Sequence, residues 1–497
     1  MAPRGSWCGS GVLPTLVVVT RHTKIIATMG PAISSSVIVA SMVDAGMDVA
    51  RLNFSHGTHE DHRRYAGWVR KASAAAKRPV ALLQDIQGPK IRTGTFAGGV
   101  FELNPGDEVR VCRGDGQAEP GEILIDYDYL LEDVDTGDLI VLADGLLRLE
   151  VRSRDEEGLI AVAIQPGVLS DRKGVAFPRS KLRVGAVTDK DRVDLDFGRK
   201  LGVDFVAASF VQSAAEVEEV AELAGGSTPI IAKIELAAAY QNLDAIMAVA
   251  QGIMVARGDL GVQLPLETIP AVQRDILART NRTGLVSITA TEMLESMTAS
   301  IRPTRAEVTD VTNAVLNGTD AVMLSGETAI GKYPVKTVAA MDTICREAEK
   351  SPASRQEASA AFMAQHLTFA SATTKAAVEA ASDLGLETIV AFTESGNTAL
   401  YLSKYRPAAQ IMAFTPEPAT LRRMALYWGV IPNNFDRLDH TDTMIAAAEE
   451  ALIRMDTCSI NEGVVMVAGI PPNQQASTNL MKLHTIGEAT LDAPDGH

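Results

Sequence analysis

Cysteine is scarce in this chain. Four occur in 497 residues: Cys8, Cys112, Cys345 and Cys458. No two are spaced as Cys-x-x-Cys, and no zinc-binding pattern is present. This usage fits a reduced, cytoplasmic location. Long apolar runs are missing as well. No uninterrupted stretch approaches the roughly 20 residues of a membrane span, so no membrane partner is expected. Positive charge is in deficit, with 46 Lys and Arg against 62 Asp and Glu, a formal net charge of −16. That balance argues against a general nucleic-acid binder. Any small anionic substrate must therefore be held by local cations or by metal.

The length exceeds what one hydrophobic core usually serves, so about two to four domains are expected. The first twenty residues, MAPRGSWCGSGVLPTLVVVT, carry one Arg and a short apolar stretch broken by Pro14. A secretory signal is one reading of them. The stretch runs directly into RHTKIIATMG, which favours an N-terminal extension over residues 1–20, disordered or docked.

Eight short apolar runs stand out, at 24–29, 49–54, 80–86, 204–209, 229–235, 252–258, 285–290 and 321–326. Near-continuous Val, Ile, Ala and Leu suit strands buried on both faces of a parallel sheet. Helical patterns follow most of them. Ser213–Glu216 and Thr304–Glu307 read as capping boxes, each preceding apolar residues at helical spacing. Eight such units predict a (β/α)₈ barrel, whose active site lies at the C-terminal strand ends.

Polar residues gather at those ends. Arg51, Asn53 and Ser55 close the second run, Asp85 the third and Ser209 the fourth. Lys233 and Glu235 close the fifth, Asp259 the sixth, Thr291 the seventh, and Ser325 and Glu327 the eighth. Lys233 and Glu235 are two apart and so share a strand face. Two carboxylates can hold a hard divalent cation, and a lysine can meet phosphate oxygens. A buried Lys–Glu ion pair beside a turn Asp would produce the same string. The repetition of polar tips at one end of so many strands points to a site.

Residues 89–184 differ in kind. Short strand patterns separated by Gly, Asp and Pro predict a small β-barrel inserted after the third barrel strand. Arg92 and Lys173 near its two ends suit a lid over the barrel mouth. From about residue 351 a third unit begins, alternating helix and strand patterns to the C-terminus, which predicts a three-layer α/β domain. Its loop Thr393, Glu394, Ser395, Gly396, Asn397, Thr398 lies between a strand and a helix start. The loop could cradle a phosphate or be an ordinary N-capped turn.

Taken together, these strings resemble pyruvate kinase over residues 21–490. The stretches that carry the resemblance are RLNFSHG (51–57), DIQGPKIRTG (85–94), KGVAFP (173–178), AKIE (232–235), GIMVARGDLGV (252–262), TATEMLESM (289–297), RPTRAEV (302–308) and MLSGETAIGKYP (323–334). The resemblance implies a catalytic barrel over 21–88 and 185–350, a lid over 89–184 and an effector-binding domain over 351–497. It implies a cytoplasmic homotetramer that moves a phosphoryl group from phosphoenolpyruvate to ADP. Glu235 and Asp259 would hold Mg²⁺ or Mn²⁺. Lys233 and Arg51 would meet the phosphoryl group, and Gly258, Asp259 and Thr291 the substrate carboxylate. Thr291 would also take part in protonating the enolate. Asn53, Ser55, His56, Arg92 and Lys173 would face the nucleotide. Thr393, Ser395, Gly396, Asn397 and Thr398 would bind a phosphorylated effector.

Three departures from the family pattern matter. Many relatives hold K⁺ with residues matching Asn53, Ser55, Asp85 and the position of Ile86, and have an acidic residue where this chain has Lys90. Ile86 and Gln87 replace the usual Thr-Lys, while Thr93 keeps the residue of potassium-dependent relatives. Lys90 could thus replace the monovalent ion, or pair with a surface carboxylate. Glu292 stands where Gln is usual. The string 469–484 lacks features of relatives that bind a sugar bisphosphate, so a sugar or nucleotide monophosphate is expected. Two rivals share the scaffold: a metal-dependent pyruvate or enolate aldolase or lyase, and a catalytically silent effector-binding protein.

Overall fold

A computed structural model describes residues 21–180, 182–352, 362, 368–470 and 478–488. The extension read over residues 1–20 lies outside them.

The eight apolar runs form a closed parallel barrel. Its strands are β1 (Lys24–Met29), β2 (Val49–Asn53), β3 (Ala81–Asp85), β12 (Phe205–Ala208), β13 (Ile230–Ile234), β14 (Gly252–Ala256), β15 (Val286–Ala290) and β16 (Ala321–Leu324). Strand alternation divides their side chains. Ile230, Ala232 and Ile234 pack outward against the helices, whereas Ile231 joins the barrel interior. Lys233 and Glu235 therefore continue the interior-facing row. The same parity places Arg51 above Val49, Asp85 above Leu83 and Ser209 above Ala207. Both predicted capping boxes form. Glu216 accepts the Ser213 N–H at 3.1 Å, and Glu307 accepts the Thr304 N–H at 2.7 Å.

Between β3 and β12 lie β4 (Val100–Leu103), β5 (Glu108–Arg113), β6 (Glu122–Ile125), β7 (Leu139–Leu142), β8 (Leu147–Arg154), β9 (Leu159–Ala163), β10 (Gly167–Ser170) and β11 (Val175–Ala176). Six of these form one sheet in the order β11-β7-β8-β9-β5-β6, and β10 pairs with β4. All share one apolar core. The turn Ala143–Gly145 of this unit packs on the short helix Arg257–Gln263, which carries Gly258 and Asp259.

The C-terminal unit has β17 (Thr388–Phe392), β18 (Gln410–Thr415), β19 (Val430–Asn434), β20 (Gly463–Ala468) and β21 (Leu480–Thr485), in the order β19-β18-β17-β20-β21. Two of these strands have no clear sequence signature. β19 contains Pro432, which a strand tolerates at a sheet edge. β21 is antiparallel and also marginal, with exposed residues along it. The helix Pro418–Arg423 between β18 and β19 is short and is followed by a 3₁₀ turn.

This unit docks beneath the barrel through buried charge. Asp320, just before β16, accepts from Lys404 at 2.5 Å and from Arg406 at 2.7 Å. Asp204, just before β12, binds Arg422 at 2.7 Å and Arg70 at 2.9 Å. Lys24 donates to the Val430 carbonyl at 2.7 Å.

Candidate active site

Lys233 stands at the centre of the barrel mouth. Its ammonium lies 3.1 Å from Asp85 Oδ1, 2.7 Å from Ser209 Oγ and 2.9 Å from Glu235 Oε1. The residue is 8% exposed, and Glu235 and Asp85 are 1% exposed. Burial alone would lower the lysine pKa, but Asp85 and Glu235 outweigh it and raise it, so Lys233 stays cationic. Asp85 serves a second cation, because its Oδ2 accepts from Arg51 Nε at 2.6 Å. Burial would raise the Asp85 carboxyl, yet Lys233 and Arg51 hold it below the usual range. Arg51 also donates to Thr28 Oγ1 at 3.0 Å. Two cations, from β2 and from β13 two strands further round the barrel than β3, are thus held on one carboxylate between them.

Glu235 is poised differently. Burial pushes its carboxyl up to about 7; Asp259 adds repulsion, and the Lys233 ammonium only partly offsets both. One Glu235 oxygen accepts the Phe210 N–H at 2.7 Å. Phe210 itself has φ +56°, a left-handed backbone that turns its N–H toward the carboxylate. A cavity of about 80 Å³ is lined by Glu235, Asp259, Lys90 and Phe210, and by Val141 and Phe177 of the inserted unit. Two carboxylates meeting in a half-enclosed cavity suit a hard divalent cation that keeps other ligand positions for substrate oxygens or water. Among the described residues, no group of three or more His, Cys, Asp or Glu could hold a metal by protein ligands alone.

Thr291 follows β15, and its hydroxyl accepts the Gly258 N–H at 2.8 Å. That bond ties the tips of β14 and β15 together beside Asp259. Asn53 ends β2, but Ser55 is not on the strand as predicted. The chain turns after Asn53, whose Oδ1 accepts the Ser55 N–H at 3.2 Å. His56 is in the same turn. Arg92 and Lys173, 81 positions apart, come together where the inserted unit joins the barrel. Thr93 and Lys173 exchange two hydrogen bonds, at 2.9 and 3.0 Å, and Arg92 Nη1 reaches the Arg172 carbonyl at 3.1 Å. The Ile86 carbonyl accepts from Ser209 Oγ at 2.7 Å.

Some strand-end polar groups serve the backbone instead. Glu327 is fully buried and accepts the N–H groups of Leu294 and Ser325 at 3.0 and 2.6 Å. Glu292 is exposed, and its charge is felt by Glu295. Sequence reasoning missed Thr28, Phe210 and Arg257. For Thr28 a signal existed, since it shares the inward parity of Ile26 in the first run.

The loop of the C-terminal unit opens on a cleft of about 790 Å³ lined by Thr393, Ser395, Asn397, Thr398, Phe435 and Arg437, among others. Gly396, at φ +93°, permits the turn into the helix Asn397–Lys404. Thr393 Oγ1 accepts the Gly396 N–H at 2.9 Å, and Thr398 Oγ1 lies 2.7 Å from Thr478 Oγ1. Arg437 bridges Glu394 at 2.9 Å and Glu417 at 2.5 Å across the mouth.

Comparison with known proteins places this architecture. A family model described as pyruvate kinase, barrel domain, matches residues 20–338, and one described as pyruvate kinase, alpha/beta domain, matches residues 371–484. The chain is 41% identical over 474 residues to a pyruvate kinase of Geobacillus stearothermophilus, covering 94% of this chain and 81% of that one. It is 40% identical, with the same coverage, to a pyruvate kinase of Sporosarcina psychrophila. The crystal structure of a pyruvate kinase from Cryptosporidium parvum superposes with a TM-score of 0.88 at 35% identity, over 94% of this chain and 96% of that one. With a closed parallel barrel, an inserted lid and a C-terminal α/β unit all matched, this chain belongs to the pyruvate kinase family.

Proposed function

We propose that this enzyme transfers the phosphoryl group of phosphoenolpyruvate to ADP, giving pyruvate and ATP, at the mouth formed by β2, β3, β13, β14 and β15. The observation that supports it most is Lys233, buried as a cation between Asp85, Ser209 and Glu235 while sharing a mouth with Arg51. Phosphoryl transfer asks a protein mainly for positioning and charge neutralisation. Lys233 and Arg51 are held in place before substrate arrives, so little reorganisation is needed as charge develops. Glu235 and Asp259 would hold the divalent cation, Mg²⁺ or Mn²⁺, which when bound would supply charge neutralisation for the transfer. Gly258, Asp259 and Thr291 receive the substrate carboxylate. An ADP oxygen attacks phosphorus, the bond from phosphorus to the enol oxygen breaks, and the enolate carbon then takes a proton delivered past Thr291. Asn53, Ser55, His56, Arg92 and Lys173 orient the nucleotide.

The three units are read as a catalytic barrel (21–88 and 185–350), a lid (89–184) and an effector-binding domain (351–497). The lid supports this division by packing on the helix that carries Asp259, where it excludes water from the enolate. Among the described residues no helix is long and apolar enough to cross a membrane. A cytoplasmic homotetramer completes the reading, and light scattering of the purified enzyme tests its assembly. A coupled assay with phosphoenolpyruvate, ADP and magnesium tests the activity, and absence of pyruvate formation with and without sugar phosphates would refute it.

Lys90 takes the place of the monovalent cation expected near Asn53, Ser55, Asp85 and Ile86. Supporting this, Asp85 already carries Arg51 and Lys233 on its oxygens, and the Ile86 carbonyl already accepts from Ser209. Full activity is therefore expected in buffer free of potassium and sodium. An absolute potassium requirement would sink the idea.

The cleft at Thr393, Ser395, Gly396, Asn397 and Thr398 takes the phosphate of a sugar or nucleoside monophosphate, and activates the enzyme. Backbone N–H groups and hydroxyls at a helix start suit that anion. Ser395→Asp places a carboxylate against it, and is expected to abolish activation by sugar and nucleoside monophosphates in a rate assay at low phosphoenolpyruvate. Full activation of that variant would count against the site.

A further inference from the structure

The tip of β15 is strained. Thr291 has φ +66° and Glu292 φ +54°, two consecutive non-glycine residues in the left-handed region. A β-branched residue there is a genuine outlier, and it persists only where its surroundings impose it. One guanidinium does much of the imposing. Arg257, whose side chain is 10% exposed, donates from Nε to the Ala290 carbonyl at 3.2 Å and from Nη2 to the Thr291 carbonyl at 2.6 Å. Nη2 also lies 2.9 Å from Met293 Sδ. Nη1 is anchored on both Asp310 oxygens, at 2.7 and 2.6 Å, from the helix Arg305–Leu316.

We infer that Arg257 is a positioning residue for the proton-delivery half of the reaction, acting through Thr291. The inference rests on the role proposed above for Thr291. Arg257 is the residue immediately before Gly258, whose N–H holds the Thr291 hydroxyl at 2.8 Å. Two adjacent residues thus grip Thr291 from both sides, Gly258 by its hydroxyl and Arg257 by its carbonyl. The hydroxyl is thereby set in register with Asp259, the next residue along. A lysine cannot replace this clamp. It offers a single nitrogen, whereas Arg257 uses three nitrogens on separate partners in a fixed plane. The phosphoryl-side cations Lys233 and Arg51 make none of these bonds, so the clamp bears on Thr291 rather than on phosphoryl transfer itself.

Wild type, R257K, T291A and R257K/T291A are compared in two assays: steady-state turnover of phosphoenolpyruvate, and exchange of pyruvate methyl protons with deuterium, read by proton NMR with magnesium and ATP present. R257K is expected to lower kcat and the exchange rate together, by about 10²-fold, as for a misplacement of about 1 Å. The KM for phosphoenolpyruvate should move by less than about threefold. In the T291A background R257K should cost less than about twofold more, because the clamp has lost the group it positions. Should R257K not fold, R257Q takes the same measurements. Unimpaired exchange in T291A would overturn the role of Thr291 and this inference with it. An impaired T291A in which R257K exacts its full factor again would overturn this inference alone.

Discussion

Lys233→Met is expected to lower kcat by about 10³–10⁵-fold, the range found when a cationic side chain is removed from a phosphoryl-transfer site. The physical reason is the site's low exposure. An ammonium that touches Asp85, Ser209 and Glu235 cannot be replaced by water without rebuilding all three contacts. Its charge is worth most when the transferred group and the enolate oxygen carry theirs, so kcat falls more than the KM for phosphoenolpyruvate rises. Lys233→Arg is no rescue, because a planar fork does not match three acceptors gathered around a point charge. Turnover of the purified variants in the coupled assay, with melting curves to verify folding, checks this. A Lys233→Met enzyme within tenfold of wild type would remove Lys233 from the chemistry.

The second large effect is on stability. Asp320→Ala should destabilise the enzyme by about 3–5 kcal/mol, the cost of removing one partner from a buried ionic network. Asp320 is the carboxylate for Lys404 and Arg406, all three essentially inaccessible. Asp320 also accepts the Ser287 N–H at 2.7 Å. Without it, two cations stay buried beneath the barrel. Lys404, which burial already pushes down to about 8 against the opposing pull of Asp320, then gives up its proton more readily. Lys404→Met should cost less, since Asp320 keeps Arg406.

The pH dependence has a definite sign. Burial would raise the Asp320 carboxyl, but Lys404 and Arg406 outweigh it and hold it below its ordinary value. Its contribution is therefore fully present above about pH 4 and is lost as pH falls below that. The gap between wild type and Asp320→Ala should narrow over the same range. Denaturant titration followed by tryptophan fluorescence suits the purpose, because Trp428 packs 4.6 Å from the Arg406 guanidinium at this junction. Equal midpoints at neutral pH would show that the network contributes nothing. The junction also links the two halves of the molecule: the helix Asn397–Lys404 begins at the proposed effector loop and ends on Asp320.

Much of this was readable from residue order. A barrel strand is buried on both faces and so is written as a short continuous apolar run, and all eight runs became barrel strands within about two residues at either end. The local pattern of Lys233 and Glu235, two apart on one strand, already placed them on a single face. The edge strands β19 and β21 of the C-terminal unit are not legible in this way, because they are not buried on both sides and carry no such run. Ser55 leaves the strand for a similar local reason: an Asn side chain that bonds the backbone two residues on ends a strand without breaking the alternation of residue types.

By itself, then, the sequence determined the barrel, the polar strand tips at one end of it, the insertion between the third and fourth barrel strands, and a separate C-terminal unit. These follow from composition and periodicity, which act over a few residues. Only the tertiary structure decided the partners. Asp85 between Arg51 and Lys233, Arg257 across to Thr291 and Asp310, and Asp320 beneath Lys404 and Arg406 join residues about 34 to 148 positions apart. A buried charge must find an opposite charge or a dipole nearby, and which one it finds is set by how the closed barrel brings distant strands together.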